Sequence, residues 1–285
     1  MQILAATDFS TRSNRALRQA GLLAQASNAD LALVHVVDDD QPEALVDMEK
    51  REAERILAEQ VSVMAELRGV KCRPAVASGA PFAGILQTAA SMAADLIVMG
   101  SHRRQILRDI FIGTTVERVI RTGPFPVLMV NNEAQRRYER VMAAVDMSDP
   151  SANALRVARN AGVIGQRRAT LLHAFLPLAK GKMFVAGADL ASIGEHVASE
   201  RHRAVNELTA FLAANDLNGE EWSLRVEEGR PLEVITRATR EMRPDLLIMG
   251  THGGSGLLKA LIGSVTEEAL RSLDVDILAV PPLRP

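Results

Sequence analysis

The chain is one unit written twice, and this repeat limits its fold more than any other feature of the sequence. The segment from Ile3, ILAATDFSTRSNRALRQAGLLA, realigns with VMAAVDMSDPSANALRVARNAG from Val141. Asp8 then falls on Asp146 and His35 on His173, both at an offset of 138. Further on, SGAPFAGIL from Ser78 matches EGRPLEVIT from Glu228, so that Gly79 falls on Gly229 and Pro81 on Pro231 at an offset of 150. ADLIVMGSH with PDLLIMGTH, Gly113 with Gly263 and Glu117 with Glu267 keep that second offset. The later copy therefore carries 12 extra residues between His173 and Gly229, expected in the low-complexity stretch Pro177–Gly194. The sequence predicts two domains, 1–131 and 140–285, joined by the polar segment NNEAQRRYE.

Within each copy, short apolar runs alternate with helical periods. Gln2–Thr7 is followed by Ser10 as N-cap, then by a helix with Ala16, Leu17, Ala20, Leu23 and Ala24 on one face. In the second copy Asp149 is the expected N-cap, with Pro150 just inside the helix. Runs at Leu31–Val37, Arg73–Ala77, Asp95–Met99 and Pro126–Val130 follow in the first copy. Between them lie a charged helix around Pro42–Leu67, a helix after Pro81 and another from about Thr114. The charged helix is expected to bury Ile56, Leu57, Val63, Met64 and Leu67. LIVM and LLIM have no polar alternation, as in parallel strands covered on both faces. Strands alternating with helices imply right-handed crossovers and an open, doubly wound α/β sheet, five parallel strands per copy.

Composition narrows the function classes. At 285 residues, 47% of them hydrophobic and only 3% aromatic, there is apolar material for two aliphatic cores and little for stacking nucleic-acid bases. A net charge of −2, from 33 basic and 35 acidic residues, steers the chain toward neither nucleic acid nor anionic membrane. Cys72 is the only cysteine, which excludes an intrachain disulfide and a cysteine zinc cluster, and fits a reducing compartment. MQILAATDFS lacks a basic n-region and Asp8 breaks its apolar run, so it does not read as a signal peptide. No run approaches the ~20 apolar residues of a membrane span. The expectation is a cytoplasmic protein without membrane or nucleic-acid partners.

Chemistry concentrates after the fourth strand of the second copy, in GTHGGSGLLKALIGSVTEEAL. In open parallel sheets, ligands bind outside the carboxyl ends of strands where strand order reverses. Gly250 ends the strand, Gly253 follows, and Gly263-Ser264 opens the next helix. Free N–H groups at a helix start favour a phosphate, here at Ser264–Val265, and the Ser264 hydroxyl adds a donor. No Gly-Lys-Ser/Thr follows, so this is not the usual P-loop, and the glycines are too dispersed for the dinucleotide fingerprint. Spacing alone leaves two readings, a phosphate cradle or a capped glycine-containing connection.

Gly250-Thr-His-Gly253, nine residues, then Gly263-Ser264 resembles the G-x2-G-x9-G-(S/T) nucleotide signature of the universal stress protein family. The resemblance covers nearly the whole chain, twice. It implies tandem doubly wound, Rossmann-like domains, each a five-stranded parallel sheet of order 3-2-1-4-5. It further implies ATP-type nucleotide binding (ATP, ADP or AMP) and pairing through the last strand of each copy. By this likeness Asp146 faces the adenosine and the backbone of Ala174 meets adenine. Gly250, His252 and Gly253 line ribose and phosphates, while Gly263, Ser264 and Val265 hold the phosphates, with Mg²⁺ as an optional bridge. The strands Pro126–Val130 and Asp276–Val280 would pair inside one chain as a pseudo-dimer, which leaves a further homodimer open.

The first copy has Asp8, Val36, Gly100, His102, Gly113 and Thr114 at the matching positions, but Arg103 stands where the second copy has Gly253. Arg103 leaves three readings: it fills the phosphate space, it swings aside to pair with phosphate, or it is solvated. The second copy is therefore the expected nucleotide site. None of the six histidines falls in a metal-binding helix pattern; His35 and His173 are expected to be structural. Ser10 and Ser148 read as caps, since no nucleophile elbow surrounds them. No catalytic residue is assigned. Pro177–Gly194 is apolar for a loop and reads either as a lid or as an interaction surface. The function expected is nucleotide binding in stress-response signalling. A nucleotide-free adaptor or small-ligand sensor and a slow ATP hydrolase stand as alternatives.

Overall fold

A computed structural model describes residues 1–101, 114–133, 136–164, 168–219, 221–252 and 262–283. The first half runs β1 (Gln2–Ala6), α1 (Thr11–Ser27), β2 (Asp30–Val37), α2 (Glu43–Val63), β3 (Cys72–Ser78), α3 (Pro81–Ser91), β4 (Leu96–Gly100), α4 (Thr115–Thr122) and β5 (Val127–Val130). The second runs β6 (Val141–Ala144), α5 (Asp149–Asn160), β7 (Ala169–Phe175), α6 (Lys180–Val185), α7 (Leu190–Ala214), β8 (Trp222–Glu228), α8 (Pro231–Met242), β9 (Leu246–Gly250), α9 (Ser264–Ser272) and β10 (Asp276–Val280).

Each half has the order 3-2-1-4-5 with parallel neighbours, and the last strands of the two copies pair within the chain, both as expected. The two sheets merge into one ten-stranded sheet, β3-β2-β1-β4-β5-β10-β9-β6-β7-β8, through the antiparallel pair β5–β10. Leu278 lies opposite Leu128, with Ile277 opposite Met129 and Ala279 opposite Val127. This join covers the two edges that the apolar terminal strands would otherwise leave open.

Helices cover both faces, which is why the strands lack polar alternation. Along β1, Ile3 and Ala5 face the layer of α1, α2, α5 and α7, while Leu4 and Ala6 face α3, α4, α8 and α9. Every residue expected on the apolar face of α1 is buried. Across the join, Arg271 of α9 pairs with Glu117 of α4 at 3.0 Å, and Arg121 of α4 with Glu267 of α9 at 3.3 Å. The repeat predicts this symmetry, since the two acids and the two arginines are each related by the second offset.

Three local expectations are corrected. The cap of α5 is Ser148, whose hydroxyl accepts the Ser151 N–H, with Asp149 already inside the helix. Of the apolar set expected for the charged helix, Leu57 is buried in α2 and Leu67 just beyond it, but the other buried residues of α2 are Val46 and Ala53, and Val63, the last residue of the helix, is 63% exposed. The Pro177–Gly194 insert is not a loop: it forms α6 and the first turn of α7, capped by Asp189 on the Ser192 N–H. Its apolar residues Leu178, Phe184, Val185 and Leu190 are 70–87% exposed. Cys72 sits half-buried on the edge strand β3, and burial pushes its thiol up to about 11.

Candidate functional site

Two crevices open at the carboxyl ends of the strands, one at each point where strand order reverses. The crevice of the second half has a volume of about 290 Å³, that of the first about 200 Å³. The second is walled by the ends of β6, β7 and β9, the first turn of α8 and the start of α9. It gathers Asp146, Ala174, Gly250, His252, Gly263, Ser264 and Val265. Gly253 lies outside the described residues. The first crevice gathers Asp8, Val36, Gly100 and Thr114, whereas His102, Arg103 and Gly113 lie outside the described residues.

Asp146 leaves β6 into a turn in which Met147 takes φ 61°, as Phe9 takes φ 60° after Asp8. A left-handed residue at both copies is a cost borne at the site. The turn aims Asp146 Oδ1 at three donors: the Ser148 N–H at 3.1 Å, the Ser148 hydroxyl and the Ser151 hydroxyl at 2.6 Å. Asp8 Oδ1 takes the Ser10 N–H at 3.0 Å. Burial alone would raise the Asp8 pKa, but hydrogen bonds from Ser10 and Ser13 outweigh it and hold the carboxyl below its ordinary value. Ser10 and Ser148 are helix caps, as expected.

His173 donates Nδ1–H to Val145 O at 2.8 Å, and His35 does the same to Thr7 O at 2.9 Å. Each imidazole thus extends the strand ladder past its last backbone pair while walling a crevice, and in the first half Phe9 stacks on His35 at 4.2 Å. His252 is different. Its Nδ1 meets Thr251 Oγ1 at 2.9 Å; the residue lines the crevice, and its buried Nε2 has no partner among the described residues. Both strand-end glycines sit against backbone: a Cβ at Gly250 would lie a tight 3.2 Å from the Pro150 carbonyl carbon, and one at Gly100 a prohibitive 2.7 Å from that of Arg12.

The two helix starts diverge. In α4, Thr114 is the N-cap: its hydroxyl accepts the Glu117 N–H, and the Glu117 carboxylate accepts the Thr114 N–H. In α9 the helix begins one position earlier in the repeat. Gly263 is the cap, Ser264 is already helical, and among the described residues no side chain closes the end. The N–H groups of Ser264, Val265 and Thr266 therefore face the larger crevice uncapped, with the positive end of the helix dipole behind them. At the start of α4 the Thr114 N–H is instead taken by the Glu117 carboxylate, which Arg271 of the other half also holds.

Residues missed from the sequence are Ser13 and Ser151, which orient the aspartates, and Pro81 and Pro231 with Ile85 and Ile235, which form one wall. The pattern Asp-x-Ser-x2-Ser, present in both copies, was the available signal for the serines. Among the described residues no group of three His, Cys, Asp or Glu side chains is placed to hold a metal ion.

Fold and crevices together define a fused pair of doubly wound α/β units, each with a ligand-sized cleft at its topological switch point. The chain belongs to the universal stress protein family, whose family pattern matches residues 1–131 and again 137–281. Universal stress protein E of Escherichia coli K12 is 24% identical over 207 residues, 71% of this chain, and the chain spans 65% of that relative's length. Universal stress protein MJ0531 of Methanocaldococcus jannaschii is 33% identical over 138 residues, 45% of this chain and 81% of the relative. A universal stress protein from Archaeoglobus fulgidus shares the fold with a TM-score of 0.70 at 19% identity, covering 99% of this chain and 98% of that one. Among the described residues no helix is long and apolar enough to cross a membrane.

Proposed function

We propose that the chain is a cytoplasmic stress-response protein that holds one ATP-type nucleotide in residues 140–285, with residues 1–131 as a degenerate partner unit. The observation that carries this reading is the uncapped start of α9, three N–H groups on a 290 Å³ crevice, beside the unpartnered buried Nε2 of His252. An anion at a helix N-terminus gains about 0.3–1 kcal/mol from the dipole, before any hydrogen bonds are counted. Asp146 and the Ala174 backbone would take the nucleoside, Gly250, His252 and Gly253 the ribose and phosphates, and Gly263, Ser264 and Val265 the terminal phosphates. With no protein metal cluster described here, Mg²⁺ would arrive on the phosphates themselves.

Binding is favoured over hydrolysis. Asp146 is the one acid lining the crevice among the described residues, and its Oδ1 already accepts three hydrogen bonds, which suits an orienting group better than a base. The self-capped start of α4 supports a stoichiometry of one, because the Thr114 N–H is already taken by the Glu117 carboxylate.

The test is the nucleotide content of the purified chain, released by denaturation and quantified by ion exchange. About one adenine nucleotide per chain is expected, and Gly263→Arg should abolish it. A chain that carries none and takes up none on titration with ATP-Mg²⁺ overturns the reading.

A further inference from the structure

A groove of about 720 Å³, larger than either crevice, lies at the other end of the sheet from them. It follows the junction between the halves, where the segment after β5 passes the amino ends of β6, β9 and β10. Arg137, Arg140, Arg240 and Arg243 line it, and among the described residues none of their guanidinium groups has an ion-pair partner.

The acids of the same groove are engaged elsewhere. Asp245 accepts the N–H groups of Glu139 and Arg140 at 3.1 and 2.9 Å. Asp276 accepts from Asn131, Asn132 and Tyr138. Glu133 is paired with Arg15 at 2.8 Å, and Asp274 has a partner as well. Four guanidinium groups of the groove are thus without an ion-pair partner among the described residues, while each of its acids already has a hydrogen-bond or ion-pair partner.

Two further atoms point to a ligand. Gln19, 2% exposed, is among the residues that line the groove, and its buried Nε2 has no hydrogen-bond partner among the described residues. Thr239 of α8 lines the same groove, and its buried hydroxyl likewise has no partner among the described residues. A helical threonine ordinarily turns its hydroxyl back to a carbonyl one turn earlier, as Thr209 does to Val205 at 2.9 Å; Thr239 does not. Buried polar groups left unpaired cost roughly 1–3 kcal/mol each, so two on one groove call for a common explanation.

We propose that this junction groove is a second binding site, for a small phosphorylated molecule whose phosphate groups sit among Arg137, Arg140, Arg240 and Arg243 while Gln19 and Thr239 supply neutral donors. Guanidinium forks match phosphate oxygens two at a time, and the volume lies in the range of small-molecule sites. Because the lining comes from α1, the connecting segment, α8 and the end of α9, occupancy would tie the two halves together.

The probe is sodium tripolyphosphate, titrated calorimetrically into the full chain at low salt. Micromolar binding is expected, and the double variant Arg240→Ala/Arg243→Asn should weaken it at least tenfold with an unchanged melting temperature. Asparagine is chosen at 243 because that residue has φ 46°. Gly263→Arg, which blocks the nucleotide crevice, should leave this binding intact. No binding to the unmodified chain overturns the proposal, as does binding that survives the double variant or is lost only with Gly263→Arg. Retained tripolyphosphate binding in a chain that holds no adenine nucleotide would leave this site standing while the nucleotide reading falls.

Discussion

Tyr138 donates its hydroxyl hydrogen to Asp276 Oδ2 at 2.8 Å in a buried setting, fixing the connecting segment to the first residue of β10. Burial raises the Asp276 pKa even though the Asn132, Tyr138 and Asn131 hydrogen bonds lower it. Burial, then the Asp276 charge, holds the Tyr138 phenol well above its ordinary value. Between the ordinary carboxylate value near ~3.9 and the raised native one, the folded state binds more protons than the unfolded. The contribution of Asp276 to stability therefore falls as pH rises through that window. Tyr138→Phe removes one of the groups that favour the ionised form. It should cost about 2 kcal/mol at pH 7 and less at acidic pH, as the native carboxyl takes up its proton. Thermal unfolding at neutral and at acidic pH checks this; an equal loss at both would mean that the phenol acts by packing alone.

The helix starts at the two crevices make the clearest contrast between equivalent elements. Thr114→Ala should cost about 1 kcal/mol by opening the capping box of α4. Ser264→Ala, at the equivalent repeat position, should cost less than about 0.5 kcal/mol in the absence of ligand, since Ser264 lies inside α9 and caps nothing. Denaturant midpoints of the two variants decide this. The contrast was not legible in the sequence, because Thr114 and Ser264 are chemically alike and the difference is a one-residue shift in where the helix begins. The strands were legible: continuous runs such as LIVM and LLIM carry their own evidence of two-sided burial, and the repeat checks each one twice. The helix α6 was hidden because Gly181 and Gly187 give its stretch a loop-like composition. The large junction groove was invisible for another reason: its arginines come from segments about a hundred residues apart, and no spacing announces them.

At the scale of the molecule, a single sheet of ten strands should unfold as a unit. The join of β5 to β10 and the ion pairs between α4 and α9 couple the halves, so calorimetry should give one transition whose calorimetric and van't Hoff enthalpies agree. Two resolved transitions would mean that each half holds together without the other. The same join has a consequence for how such a chain changes over generations. In a dimer of identical subunits every substitution appears on both sides of the axis, so a residue cannot be altered at one pocket and kept at the other. Here the two sides are written separately in one gene product. Thr114 and Glu117 could settle into a closed helix end while Gly263 and Ser264 kept theirs open, with Glu117 and Glu267 still serving the junction. Covalent fusion of the copies thus frees one site to drift into a scaffold for the other, a division of labour unavailable to a symmetric pair.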